Sequence, residues 1–250
     1  MSMQELLPVA AIFVLAGTVK GVTGLGLPTV AIAGLSLLLP LAQAAALLLL
    51  PSLLTNVWQY LRSGVALAVG RRLAGLNAGI VLGAWLSPLP PLSAAGPWAQ
   101  ALTGALLALY GLAGLLGLRL PPPGRHEPWV GPAMGLATGA LTVASGVFVM
   151  PSVPYLQSLG LAKESLIGAL GLTFTVCTLC LWASLGAGGL STGALAASTG
   201  MLLPALLGLG LGALLRQRLS EASFRRWFQI AISALGLAML LRAVLLMAGH

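Results

Sequence analysis

Charge is what this 250-residue sequence has least of: 6% of its residues are Asp, Glu, Lys or Arg, against about 25% in an average soluble domain. Aspartate is missing altogether, and the four acids are Glu5, Glu127, Glu164 and Glu221. With 58% hydrophobic residues and a mean hydropathy of +1.03, too little polar surface remains to coat a water-soluble globule. A soluble enzyme, a nucleic-acid binder and a disordered chain are thereby excluded, and an all-α polytopic membrane protein remains. Cysteine is scarce too. Cys177 and Cys180 share one face of an apolar run with no His or acid beside them. Two small buried thiols are a simpler reading than a metal or redox pair. His126 and His250 fall in a linker and at the end of the sequence, where solvent exposure is expected. No metal, cofactor or intramembrane catalytic group is expected, and therefore no enzyme. Glu5 stands where a signal peptide would be basic, so no cleavable leader is expected.

What is abundant is apolar sequence, in ten runs: 6–19 (I), 25–39 (II), 41–61 (III), 73–90 (IV), 97–118 (V), 129–144 (VI), 146–161 (VII), 165–185 (VIII), 190–215 (IX) and 227–248 (X). A helix needs about 20 residues to cross the hydrocarbon core. Runs III, V, VIII, IX and X reach that length, and IV nearly does. Runs I, II, VI and VII, at about 14–16 residues or roughly 21–24 Å of helix, are too short and occur as two adjacent pairs. Trp58, Trp85, Trp98, Trp129, Trp182 and Trp227 all lie near run ends, as an interfacial aromatic belt requires.

The formal charge of +8 records orientation. Arg62, Arg71 and Arg72 lie between III and IV, Arg119 and Arg125 between V and VI, and Arg216, Arg218, Arg225 and Arg226 between IX and X. The II–III, IV–V and VIII–IX connections have none, so by the positive-inside rule the first group is cytoplasmic and the second external. Each short pair must then cross an even number of times, as a re-entrant hairpin or two thin crossings. Lys163 marks where the second pair ends inside. Both termini come out external at the cell membrane, and the halves enter from opposite faces. Pro121-Pro122-Pro123-Gly124 divides the chain into a first repeat, 1–118, a cytoplasmic linker, 119–128, and a second repeat, 129–250. The expectation is two inverted-topology repeats, each with a short helix pair and three full spans. Gly17-x-x-x-Gly21, before residues 23–28, and Gly135-x-x-x-Gly139, before residues 142–146, at the same place in the two short pairs, support it. Close helix packing is the competing reading of both.

Gly17-Thr-Val-Lys-Gly-Val-Thr-Gly-Leu-Gly-Leu-Pro28, leading into Pro51-Ser-Leu-Leu-Thr-Asn56, and Gly146-Val-Phe-Val-Met-Pro-Ser-Val-Pro-Tyr155 in the second half resemble the sulfite exporter TauE/SafE family of membrane transporters. The resemblance covers nearly the whole chain. It implies transport, chiefly export, of small sulfur-containing anions such as sulfite or organosulfonates. The second-half glycine motif departs from the pattern as Thr142-Val-Ala-Ser-Gly146, which puts a symmetric role of the two hairpins in doubt.

The hairpin tips, 23–28 and 142–146, are where helices break, and irregular backbone at membrane depth belongs beside a polar cavity or inside protein. Pro28 suits the first turn of a new helix. Helix N-termini there would present N–H donors and about half a positive charge to an oxyanion, an arrangement known in transporters. Candidate substrate-binding residues are Lys20, Thr23, Gly24, Gly26, Asn56, Gln59, Thr142, Ser145 and Gly146, with Gln157 a weaker one. Glycine lets an anion approach the backbone, hydroxyls and amides donate, and a buried ammonium marks a functional site. The competing readings are snorkelling for Lys20 and interhelical hydrogen bonding for Asn56 and Gln59. Because no acid sits within a run, a carboxylate proton relay is disfavoured. Export can instead run on the membrane potential, about 2.3 kcal/mol per charge per 100 mV. The expected partners are a small sulfur-containing anion and the lipid bilayer, with no nucleic acid, and a homo-oligomer fits this reading. A permease for another small organic anion is the alternative, and a non-transporting membrane scaffold a more distant one.

Overall fold

A computed structural model describes residues 3–94, 96–216, 218 and 220–248; His250 lies outside the described residues. The chain is all-helical: α1 (Met3–Thr23), α2 (Leu27–Leu35), α3 (Leu41–Leu61), α4 (Ala66–Arg72), α5 (Ala74–Trp85), α6 (Pro97–Leu115), α7 (Glu127–Ser145), α8 (Ser152–Ser158), α9 (Lys163–Ala187), α10 (Thr192–Gly200), α11 (Leu202–Leu215) and α12 (Glu221–Ala248). Six stretches among the described residues are long and apolar enough to cross a membrane: Leu6–Thr23, Leu41–Leu61, Pro97–Leu115, Lys163–Ala187, Thr192–Leu215 and Ala222–Ala248. Leucines cover the outer faces of these helices and Trp85, Trp129 and Trp227 are exposed, as lipid rather than water demands.

The lengths correct the expected hairpins. α1 has 21 residues and α7 has 19, so the first member of each pair is long. α2 and α8 have only 9 and 7 residues, about 14 Å and 10 Å of helix, too short to cross. The fourth run of each half also differs: run IV holds only the 12-residue α5, preceded by a separate α4 that ends at Arg72, and run IX is α10 and α11 broken at Met201. Arg242, which hydropathy passes over, sits exposed on α12.

The helices form two compact units, and each takes segments from both sides of the proline-rich linker. One comprises Met1–Pro51, Ala95–Gly117 and Leu190–His250. Here α1 lies against α11 because Gly17 and Gly21 meet Gly208 and Gly212: a Cβ on Gly17 would overlap the Ala205 carbonyl, and one on Gly212 the Thr18 carbonyl. α6 and α12 meet likewise at Gly104, Gly111, Ser233 and Gly236. α2 is buried along almost its whole length. Pro51, inside α3, has no N–H to offer the Leu47 carbonyl. The Ser198 hydroxyl of α10 donates to that carbonyl at 2.9 Å and accepts the Leu50 N–H at 3.1 Å.

The other unit comprises Ser52–Ala94 and Leu118–Gly189. α5 and α7 meet through Gly79, Gly83, Gly135 and Gly139, each placed where a Cβ would strike the other helix's backbone. The end of α3 lies against α9 at Gly171, beside Asn56 and Tyr60. Phe148 meets Phe174 edge-on at 6.0 Å. Both glycine pairs noted in the sequence thus serve close helix packing, where dispersion and short interaxial distance replace the hydrophobic drive that lipid removes.

Candidate functional site

The first tip lies in the first unit. α1 ends at Thr23, the Gly24 N–H returns to the Lys20 carbonyl at 2.7 Å, and α2 starts after Gly26. Gly26 caps α2 with φ of 110°, a left-handed conformation that a side chain would strain; Val19 and Phe228 also close over it. Pro28 falls in the first turn of α2, as expected. The first intrahelical bond runs from the Val30 N–H to the Gly26 carbonyl at 2.8 Å, so the Leu27 and Thr29 amides precede it. The Thr23 hydroxyl is committed locally: it faces the Val19 and Leu25 carbonyls at 2.9 Å and 2.7 Å and accepts the Leu25 N–H at 3.2 Å. Lys20 is 3% exposed, which argues against the snorkelling reading.

The second tip lies in the second unit. α7 ends at Ser145, and Gly146 follows with φ of 72°, its N–H returning to the Thr142 carbonyl at 2.8 Å. The Ser145 hydroxyl donates to the Leu141 carbonyl at 2.6 Å and accepts the Val147 N–H at 3.2 Å. Thr142 donates to the Val147 carbonyl at 3.4 Å and also meets the Cys177 thiol. On the next residue of α9, the Thr178 hydroxyl lies 3.1 Å from that of Ser52, which accepts the Asn56 side-chain N–H at 3.1 Å. Thr142, Ser145 and Asn56 are all buried: Thr142 meets α9 at Cys177, and Asn56 on α3 meets it through Ser52 and Thr178. Gln59 is not on it: its amide donates to the Ile167 carbonyl at 2.9 Å and joins α3 to α9.

Three buried polar groups escaped sequence reasoning. The hydroxyls of Thr29, in the first turn of α2, and Thr173, on α9, and the side-chain oxygen of Asn77, on α5, are buried without a hydrogen-bond partner among the described residues. Such groups are costly unless something else satisfies them. For Thr29 the available signal was its place directly after Pro28.

The sulfite exporter TauE/SafE family model matches residues 9–239, a span that contains both tips. The chain belongs to the sulfite exporter TauE/SafE family. TauE/SafE proteins are transporters and not enzymes, so this is a multi-pass membrane protein of the sulfur-anion exporter type. No curated protein and no solved structure matches this TauE/SafE chain.

Proposed function

We propose that this TauE/SafE protein exports a small sulfur oxyanion, sulfite or an organosulfonate, across the cell membrane by alternating access. The observation that carries the reading is the first tip: a buried Lys20 one turn before the end of α1, followed by a buried α2 that begins at a glycine. A cation and the N-terminal amides of α2 suit a small oxyanion with no counter-ion of its own. Thr23, Gly24 and Gly26 shape that tip, and the Thr29 hydroxyl adds a donor. In the second unit, Thr142, Ser145, Gly146 and Asn56 form a second polar element. Gln59 acts there as a packing residue.

Two inverted repeats, 1–118 and 129–250 joined by the 119–128 linker, account for the reciprocal pairing of the helices. The long helix of the first hairpin packs on α11 of the second half, and that of the second hairpin on α5 of the first, each by Gly-x-x-x-Gly against Gly-x-x-x-Gly. Both termini face outward in this arrangement. The experiment is flux in proteoliposomes with sulfite, thiosulfate, sulfonates and carboxylates. Sulfur oxyanions are expected to move and to compete with one another; carboxylates carried equally well would favour a general organic-anion permease instead.

A further inference from the structure

Away from the tips, the second unit holds a half-open cavity of about 530 Å³ where the end of α4 and the start of α5 meet α7 and Tyr155 of α8. Leu73 and Leu76 give it an apolar wall, and Arg72, Arg125, Glu127 and Tyr155 a polar one. Tyr155 is 2% exposed. Its hydroxyl lies over Gly131, where a Cβ would come within 2.9 Å of it, and makes no hydrogen bond among the described residues. Arg72 occupies both oxygens of Glu127, at 2.8 Å and 3.0 Å, so the carboxylate is neutralised. Arg125 makes no ion pair among the described residues, and the cavity is left with a net positive charge. Trp129, near the start of α7, is 81% exposed, as a tryptophan that reaches the membrane interface would be.

A cation and an unused hydroxyl beside an apolar wall suit a ligand that carries an oxyanion and hydrocarbon together. We propose that this cavity binds the headgroup of an anionic phospholipid, its phosphate held by Arg125 and by the Tyr155 hydroxyl. The assignment is independent of which anion the protein transports.

Native mass spectrometry of the purified protein with added phosphatidylglycerol or phosphatidylcholine tests it. Phosphatidylglycerol is expected to bind about fivefold more tightly than phosphatidylcholine, the effect of one well-placed cation. Arg125→Gln reduces that preference below about twofold, and Tyr155→Phe weakens phosphatidylglycerol binding about fivefold. Arg218→Gln, on a different loop, leaves both unchanged. No preference in the wild type, or equal losses in Arg125→Gln and Arg218→Gln, would overturn the proposal. Displacement of the lipid by an equal concentration of inorganic phosphate would assign the cavity to a free anion and overturn it as well.

Discussion

The Ser198 hydroxyl donates to the Leu47 carbonyl at 2.9 Å, the carbonyl that Pro51 leaves without its helical N–H. A proline inside a membrane helix is tolerable only when neighbours satisfy the group it frees, and Ser198 on α10 does so. Ser198→Ala is expected to cost about 1–3 kcal/mol and to lower the thermal midpoint in detergent. In a Pro51→Ala background, where the N–H is restored, the same substitution should cost clearly less. Equal costs in both backgrounds would separate the two residues.

The α5–α7 contact admits no side chain at Gly135 or Gly139. Gly135→Ala should destabilise by about 1–3 kcal/mol through overpacking, whereas Gly200→Ala, with open space around it, should be neutral or slightly stabilising. Thermal midpoints of the two variants provide the check, and a neutral Gly135→Ala would contradict the close approach.

Gly26 is needed for its backbone. Gly26→Ala is expected to cost about 1–2 kcal/mol for the left-handed conformation and to depress sulfite flux more than the stability loss explains, because it also crowds the start of α2. Flux per folded molecule, measured beside the thermal midpoint, separates the two effects.

The ion pair between Arg72 and Glu127 has a pH signature. The hydrogen bond from Arg72 holds the Glu127 carboxyl below the usual carboxylate range. Its stabilisation is therefore fully present above about pH 5 and is lost as pH falls through the lowered value. The pair is partly exposed, so the amount is at most about 1 kcal/mol. Glu127→Gln should remove that part of the acid-side slope of midpoint against pH, and an unchanged slope would contradict it.

Legibility of the fold followed hydropathy where lipid contact and helix coincide. α3 was readable at both ends, because nothing polar interrupts residues 41–61 before Arg62. α1 was not: Lys20 stops the apolar run, yet the backbone continues to Thr23 because the ammonium is enclosed by protein. α12 begins at Glu221, ahead of Trp227, since Ser220 and the arginines favour a helix without being apolar. The break at Leu73 coincides with the start of run IV, after Arg71 and Arg72, whereas the break at Met201, beside Gly200, falls inside run IX, where apolar sequence continues on both sides. At the site, Gly24, Gly26 and Gly146 announced the turns, for positive φ is a local property. The engagement of Gln59 with Ile167 and the orphaned hydroxyls of Thr29 and Thr173 depend on which helix lies alongside, which no local pattern encodes.

In the proposed mechanism an anion is held beside Lys20 and driven outward by its own charge. Sulfite flux through proteoliposomes, at zero and at imposed membrane potential, tests it most directly with wild type and Lys20→Gln side by side. The account expects wild-type flux to rise when the potential is negative on the sulfite-loaded side, and Lys20→Gln to bind sulfite about tenfold or more weakly, the loss of one charge-assisted contact, while remaining folded. Flux that ignores the potential and is unchanged in Lys20→Gln would contradict it.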